Sequence, residues 1–142
     1  MPTRSGSARY EGLGKNGKGW TSTQSGVLTD QSYGFTSRFE DGPGTNPEEL
    51  IAAAHASCFT MALSFALAGA GHHDGTLETT ARVSVEKDGD GFTITASRLD
   101  LKAKVPGITQ EEFERIAQDA KANCPVSKVL KAEITLTHEL SQ

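Results

Sequence analysis

Two cysteines are the residues best suited to covalent chemistry in this chain. Cys58 sits inside HASCFTMALSF, an alanine-rich apolar run, and Cys124 stands in NCPVS, immediately before Pro125. A free thiol also packs as a small hydrophobe, so position alone leaves open whether either one reacts. The residue before a proline is pushed out of the helical region, which makes Cys124 the expected cap of a short helix, VSKVLK. Unpaired N–H groups and the positive end of a dipole near a thiol lower its pKa. Cys58 falls mid-helix, where backbone donors are already used. Burial there raises a thiol's pKa, so a reactive Cys58 needs a cation brought to it.

The candidates for that cation are Arg4, Arg9, Arg38, Arg82, Arg98 and Arg115. Arg38, flanked by Phe35 and Phe39, is the one expected to be held against apolar surface. A guanidinium ~4 Å from a thiolate contributes roughly 4 kcal/mol at an effective dielectric of about 20, enough to offset considerable desolvation. A partly buried arginine needs a partner of its own, and Glu48 is the nearest in sequence. On one straight helix Glu48 and Cys58 stand ~15 Å apart along the axis. Joint service at one centre therefore requires a broken helix or delivery of Glu48 from another subunit.

Other constellations compete with this one. His55 lies three residues before Cys58, on the same side of a helix, which permits a cysteine and histidine pair for acyl transfer and hence a hydrolase. A non-enzymatic stress or structural protein with inert thiols is a further alternative. His72, His73 and Asp74 read as an exposed polar loop. Two cysteines without C-x-x-C spacing do not make a zinc site, and no metal is expected. GLGKNGKG approximates a P-loop, but Gly19 stands where Ser or Thr should hold magnesium, and the following WTSTQ reads as strand.

The elements that must position these residues are legible in outline. Strands are expected over 7–10, 18–24 and 34–40, separated by glycine-rich turns. Asn46 caps a long helix, with Pro47 at its first position, Glu49 closing a capping box, and Gly69 and Gly71 ending it. Its apolar residues leave no continuous polar stripe, so it is expected to be buried on nearly all sides. Residues 77–87 and 92–105 alternate at period two around DGDG, as a hairpin. Thr109 and Glu112 open a second helix as a capping box, with Phe113, Ile116, Ala117 and Ala120 on one face. A short helix from Pro125 and a final strand through Ile134, Leu136 and Leu140 follow. The expected class is α+β in one domain, 1–142.

With 142 residues and a net charge of −4, the chain has no basic surplus for a phosphate backbone, and nucleic acid is not an expected partner. The N-terminal stretch lacks the apolar core of a secretory signal, so the protein is expected in the cytoplasm, where cysteines are catalytic or redox-sensing more often than permanent staples. The uncharged run Leu50 to Gly71 is long enough to span a membrane, but its many alanines and its His55, Ser57, Thr60 and Ser64 make it too polar, so no membrane is expected. A long helix apolar all round is hard to wrap in so small a domain. A second copy of the chain is the simplest cover.

Three segments carry a resemblance over nearly the whole chain: YGFTSRFEDGPGTNPEELIAAAHASCFTMALS, VPGIT and KANCPVSKVLKAEITL. They resemble the OsmC/Ohr family of thiol peroxidases, nearest its osmotically inducible OsmC branch. The resemblance implies that Cys58 is the peroxidatic thiolate, Cys124 the resolving thiol that closes a Cys58–Cys124 disulfide, and Arg38 with Glu48 the supporting ion pair. It implies an intertwined homodimer, antiparallel sheets wrapped around long central helices, with sites at the interface. The apolar surroundings of Cys58, whose Phe, Leu and Met can cover an alkyl tail, point to organic hydroperoxides as the preferred substrates and to hydrogen peroxide as a weaker one. No bound cofactor is implied; an external dithiol, with a lipoylated protein as one source, resets the enzyme.

Overall fold

The computed structural model describes residues 1–142, as two compact units, Met1–Leu50 and Ile51–Gln142. In the first, β1 (Gly6–Glu11), β2 (Lys18–Thr23) and β3 (Gln31–Tyr33) form an antiparallel meander in that order. The strand expected over 34–40 is absent. β3 ends at Tyr33, and Phe35–Phe39 form a short helix, α1. Local hydrogen bonds decide this: the Gly34 N–H donates to Ser37 Oγ at 2.9 Å, and the Arg38 N–H donates to the Gly34 carbonyl at 3.1 Å. Phe35 and Phe39, four residues apart, then share a helix face with ring centroids 5.4 Å apart.

The chain returns past β3 through Gly44, whose φ is 112°. An added Cβ would lie 2.5 Å from the Ser32 carbonyl oxygen, so only glycine lets the backbone pass. Beyond it the Thr45 N–H donates to that carbonyl at 2.9 Å. Ser37 Oγ donates to the Thr45 carbonyl at 2.8 Å, and Asn46 Nδ2 to the Ser37 carbonyl at 2.9 Å. These bonds tie α1 to the start of α2 (Pro47–Gly69).

Asn46 caps α2 as expected, accepting from the Glu49 N–H at 2.7 Å. The Glu49 carboxylate does not complete the box, because it accepts from the Thr45 hydroxyl at 2.7 Å. α2 runs unbroken for 23 residues and by length and composition could cross a membrane. Within one chain it is not buried on nearly all sides. A single stripe, His55, Phe59, Leu63 and Leu67, enters the core, while Met61 and Phe65 remain 64% and 71% exposed. The i, i+4 stripe is all that one sheet and one helix can cover.

In the second unit β4 (Thr76–Asp88) and β5 (Gly91–Lys104) pair as the expected hairpin. β6 (Glu133–Ser141) then pairs with β5 in parallel. The second sheet is therefore mixed and not antiparallel throughout. Between β5 and β6 the chain carries α3 (Gln110–Asn123) and α4 (Pro125–Val129), the kind of long crossover that a parallel pair requires. Leu99, Leu101 and Ala103 of β5, with Val105 just beyond it, meet Phe59, Leu63 and Leu67 of α2 and Phe113, Ile116, Ala117 and Ala120 of α3 in one core. Thr109 caps α3 by accepting from the Glu112 N–H at 3.1 Å. The Glu112 carboxylate is taken by His72 Nε2 at 2.8 Å, so His72 is held against α3 and is not a free loop residue.

Candidate active site

The first unit builds an ion pair. Arg38, in the last turn of α1, meets Glu48, in the first turn of α2, through two parallel bonds: Nε to Oε1 at 3.0 Å and Nη2 to Oε2 at 2.9 Å. This fork-on-fork geometry fixes the guanidinium plane as well as its position. The Glu48 side chain is 8% exposed and that of Arg38 is 35% exposed. A carboxylate so buried needs such a partner, and the arginine stays partly open to solvent. Arg38 also lies over the Phe39 ring, 5.1 Å from its centroid, and borders a cavity of about 340 Å³ lined by Tyr10, Tyr33, Phe35 and Phe39.

The second unit brings the two cysteines together. Cys58, half-buried in α2, and Cys124, fully buried at the junction of α3 and α4, are both free thiols in hydrogen-bond contact with each other. Cys124 has the extended backbone expected of a residue before proline, with ψ 125°, and its carbonyl accepts from the Lys128 N–H to start α4. Burial raises the Cys124 thiol, but bonds from the Ser127 N–H, the Cys58 thiol, the Ser127 hydroxyl and the Val126 N–H outweigh it and leave the pKa below its ordinary value. Burial, opposed only by the Val126 N–H, pushes Cys58 up, and the neighbouring Cys124 adds to the rise. Within this unit the surroundings favour the thiolate form at Cys124 over Cys58. None of the groups acting on Cys58 is a cation.

His55 does not serve Cys58. Its Nδ1 is 2.6 Å from Ser97 Oγ and its Nε2 is 2.8 Å from Ser127 Oγ, so both nitrogens are committed. The cysteine and histidine pair of a hydrolase is thus not formed. Ser97 and Ser127 were not singled out from the sequence, although both leave a trace there. Ser97 continues the inward series Leu99, Leu101, Ala103 as its one polar member, and Ser127 is the third residue after the Cys124 cap. No group of three or more His, Cys, Asp or Glu side chains in the chain is arranged to hold a metal ion.

Residues 40–139 match the family model described as OsmC-like protein. The chain belongs to the OsmC-like family. It is 56% identical over 137 residues to peroxiredoxin OsmC of Escherichia coli K12, with 96% of each chain covered. It is 40% identical over 95 residues to organic hydroperoxide resistance protein-like 1 of Staphylococcus epidermidis, covering 66% of this chain and 67% of the other. Among solved structures, the organic hydroperoxide resistance protein OhrB of Bacillus subtilis superposes with a TM-score of 0.69 at 28% identity over 98% of both chains. Both cysteines, Arg38 in α1 and Glu48 in α2 thus lie on an OsmC-like fold.

Proposed function

We propose that this OsmC-like protein is a cysteine peroxidase that reduces organic hydroperoxides, and more weakly hydrogen peroxide, with Cys58 as the attacking thiol. The observation that carries the reading is the contact between two free thiols of unequal exposure. Cys58 alone is open to an incoming peroxide, and Cys124 waits beside it under cover. The Cys58 thiolate attacks one peroxide oxygen; the O–O bond breaks, the departing alkoxide takes a proton from solvent to leave as the alcohol, and Cys58 carries a sulfenic acid. Cys124 then displaces that hydroxyl to give the disulfide before irreversible oxidation can follow. An external dithiol resets the enzyme in the reducing cytoplasm, a lipoylated protein being one such source.

The elevated pKa of Cys58 is the reason a cation belongs to the reaction. Arg38, oriented by Glu48, supplies it and also stabilises the charge developing on the departing oxygen. Because α2 is unbroken from Pro47 to Gly69, it offers no kink that would carry Glu48 back toward Cys58 of the same helix. The reading is completed by a homodimer in which the partner subunit covers the exposed Met61 and Phe65 face and its ion pair serves this Cys58. Apolar cover around the site favours an alkyl or aryl peroxide.

The test is intact mass and free-thiol count after one equivalent of cumene hydroperoxide is added to fully reduced protein. Loss of two hydrogens per chain with both thiols consumed is the expected result. Survival of both thiols would overturn the peroxidase reading.

A further inference from the structure

His55 is a fully buried polar side chain that the steps above do not use. An imidazole in such a place must have both nitrogens partnered, and here both partners are hydroxyls. Ser97, also fully buried, lies on the inward face of β5 and binds Nδ1. Ser127, on α4, binds Nε2, and its hydroxyl is also bonded to the Cys124 sulfur. A serine hydroxyl has one proton to give, so Nε2 and the sulfur compete for it. Burial disfavours a second proton on His55, so the ring is neutral and one of its nitrogens must accept.

We propose that His55 is a positioning residue for Cys124: it accepts the Ser97 proton at Nδ1, donates from Nε2–H to Ser127, and thereby turns the Ser127 proton onto the sulfur. The series Ser97 O–H, His55 Nε2–H and Ser127 O–H then points in one direction, and each bond polarises the next. It ends on Cys124 as a thiolate, the form that attacks. In the step it serves, the Cys124 thiolate forms the S–S bond to the Cys58 sulfenic sulfur as the S–O bond breaks. The hydroxide takes a proton from solvent and leaves as water; Cys58 is reduced and Cys124 oxidised to the disulfide level. This role rests on the peroxidase reading for its purpose, but the state of the Cys124 thiol can be measured without peroxide.

The first measurement therefore uses full-length Cys58→Ser protein, in which Cys124 is the sole thiol, and titrates its thiolate ultraviolet absorbance against a Cys58→Ser/Cys124→Ser reference. Ser127→Ala and His55→Leu are expected to raise the midpoint by about one pH unit, a tenfold change in the thiolate ratio. Ser127→Thr, which keeps the hydroxyl, should restore it, and Ser97→Ala should raise it by a smaller step. An unmoved midpoint in Ser127→Ala overturns the proposal. So does a shift in Ser127→Ala alone with none in either His55→Leu or Ser97→Ala; if His55→Leu fails to fold, Ser97→Ala decides. The second measurement follows the chain with both cysteines after one equivalent of cumene hydroperoxide, trapping sulfenic acid with dimedone. Ser127→Ala should slow disulfide formation about tenfold more than sulfenic acid formation, the converse of the shift in thiolate ratio; equal slowing of both overturns the role. If the unsubstituted protein forms no sulfenic acid at all, the peroxidase reading fails, while the titration still decides the hydrogen-bonded series.

Discussion

At the scale of single residues, exposure and charge separate the two thiols. Cys58→Ser should abolish turnover. Cys124→Ser should form one sulfenic acid per site and then stall or overoxidise, and equal residual turnover in both variants would contradict the division of roles. Loss of one preorganised donor to a developing charge costs on the order of 100-fold in rate, so Arg38→Ala should slow Cys58 oxidation by about that factor, measured by stopped-flow with excess peroxide. His55 makes a separate prediction through stability. Its folded pKa lies below the ordinary 6.5, because burial penalises the imidazolium. The unfolded chain then binds more protons in that window, so stability falls as pH drops through 6.5 toward the lowered value. Urea melts across that range should show the slope in the unsubstituted protein and a shallower one in His55→Leu. The cysteines and the Arg38–Glu48 pairing were legible because thiols and a partly buried charge are costly to place without partners. The Ser97 and Ser127 partners of His55 were not, since they lie 42 and 72 residues away in sequence.

At the scale of elements, the capping residues are what make the site. Asn46 both receives the Glu49 N–H and donates to the Ser37 carbonyl, so it sets the start of α2 and the end of α1 together. Asn46→Ala should cost about 1 kcal/mol in a denaturant melt. It should also loosen the Arg38–Glu48 fork and slow peroxide attack; a stability loss with unchanged attack rate would detach the cap from the chemistry. Strong local signals such as N-P-E-E and the alternation through Leu99, Leu101 and Ala103 were readable before folding. α1 was not, because FTSRF contains two aromatics that suit a strand, and the Ser37 bonds to Gly34 and Thr45 that favour a turn are invisible to periodicity. The parallel β6 was equally hidden: its own pattern fixes which face is buried but not which way the strand runs.

At the scale of the molecule, α2 is half covered. Composition showed a helix too apolar for solvent, and the structure shows which side lacks a partner: the face carrying Met61 and Phe65. Phe65→Glu should shift sedimentation toward monomer and lower peroxidase activity together. Full activity in a monomer would mean that the cation for Cys58 comes from its own chain.

The unequal burial of the two sulfurs also bears on the reductive half of the cycle. In the proposed disulfide, Cys58 is the more exposed sulfur for an incoming thiolate to attack, with buried Cys124 as the departing sulfur. The bonds that hold Cys124 below an ordinary thiol pKa make it the better leaving group, since a more stable thiolate departs faster. Any mixed disulfide caught between the oxidised protein and a monothiol should therefore map to the Cys58 peptide. On the proposed mechanism, the cover over Cys124 gives regeneration a fixed polarity.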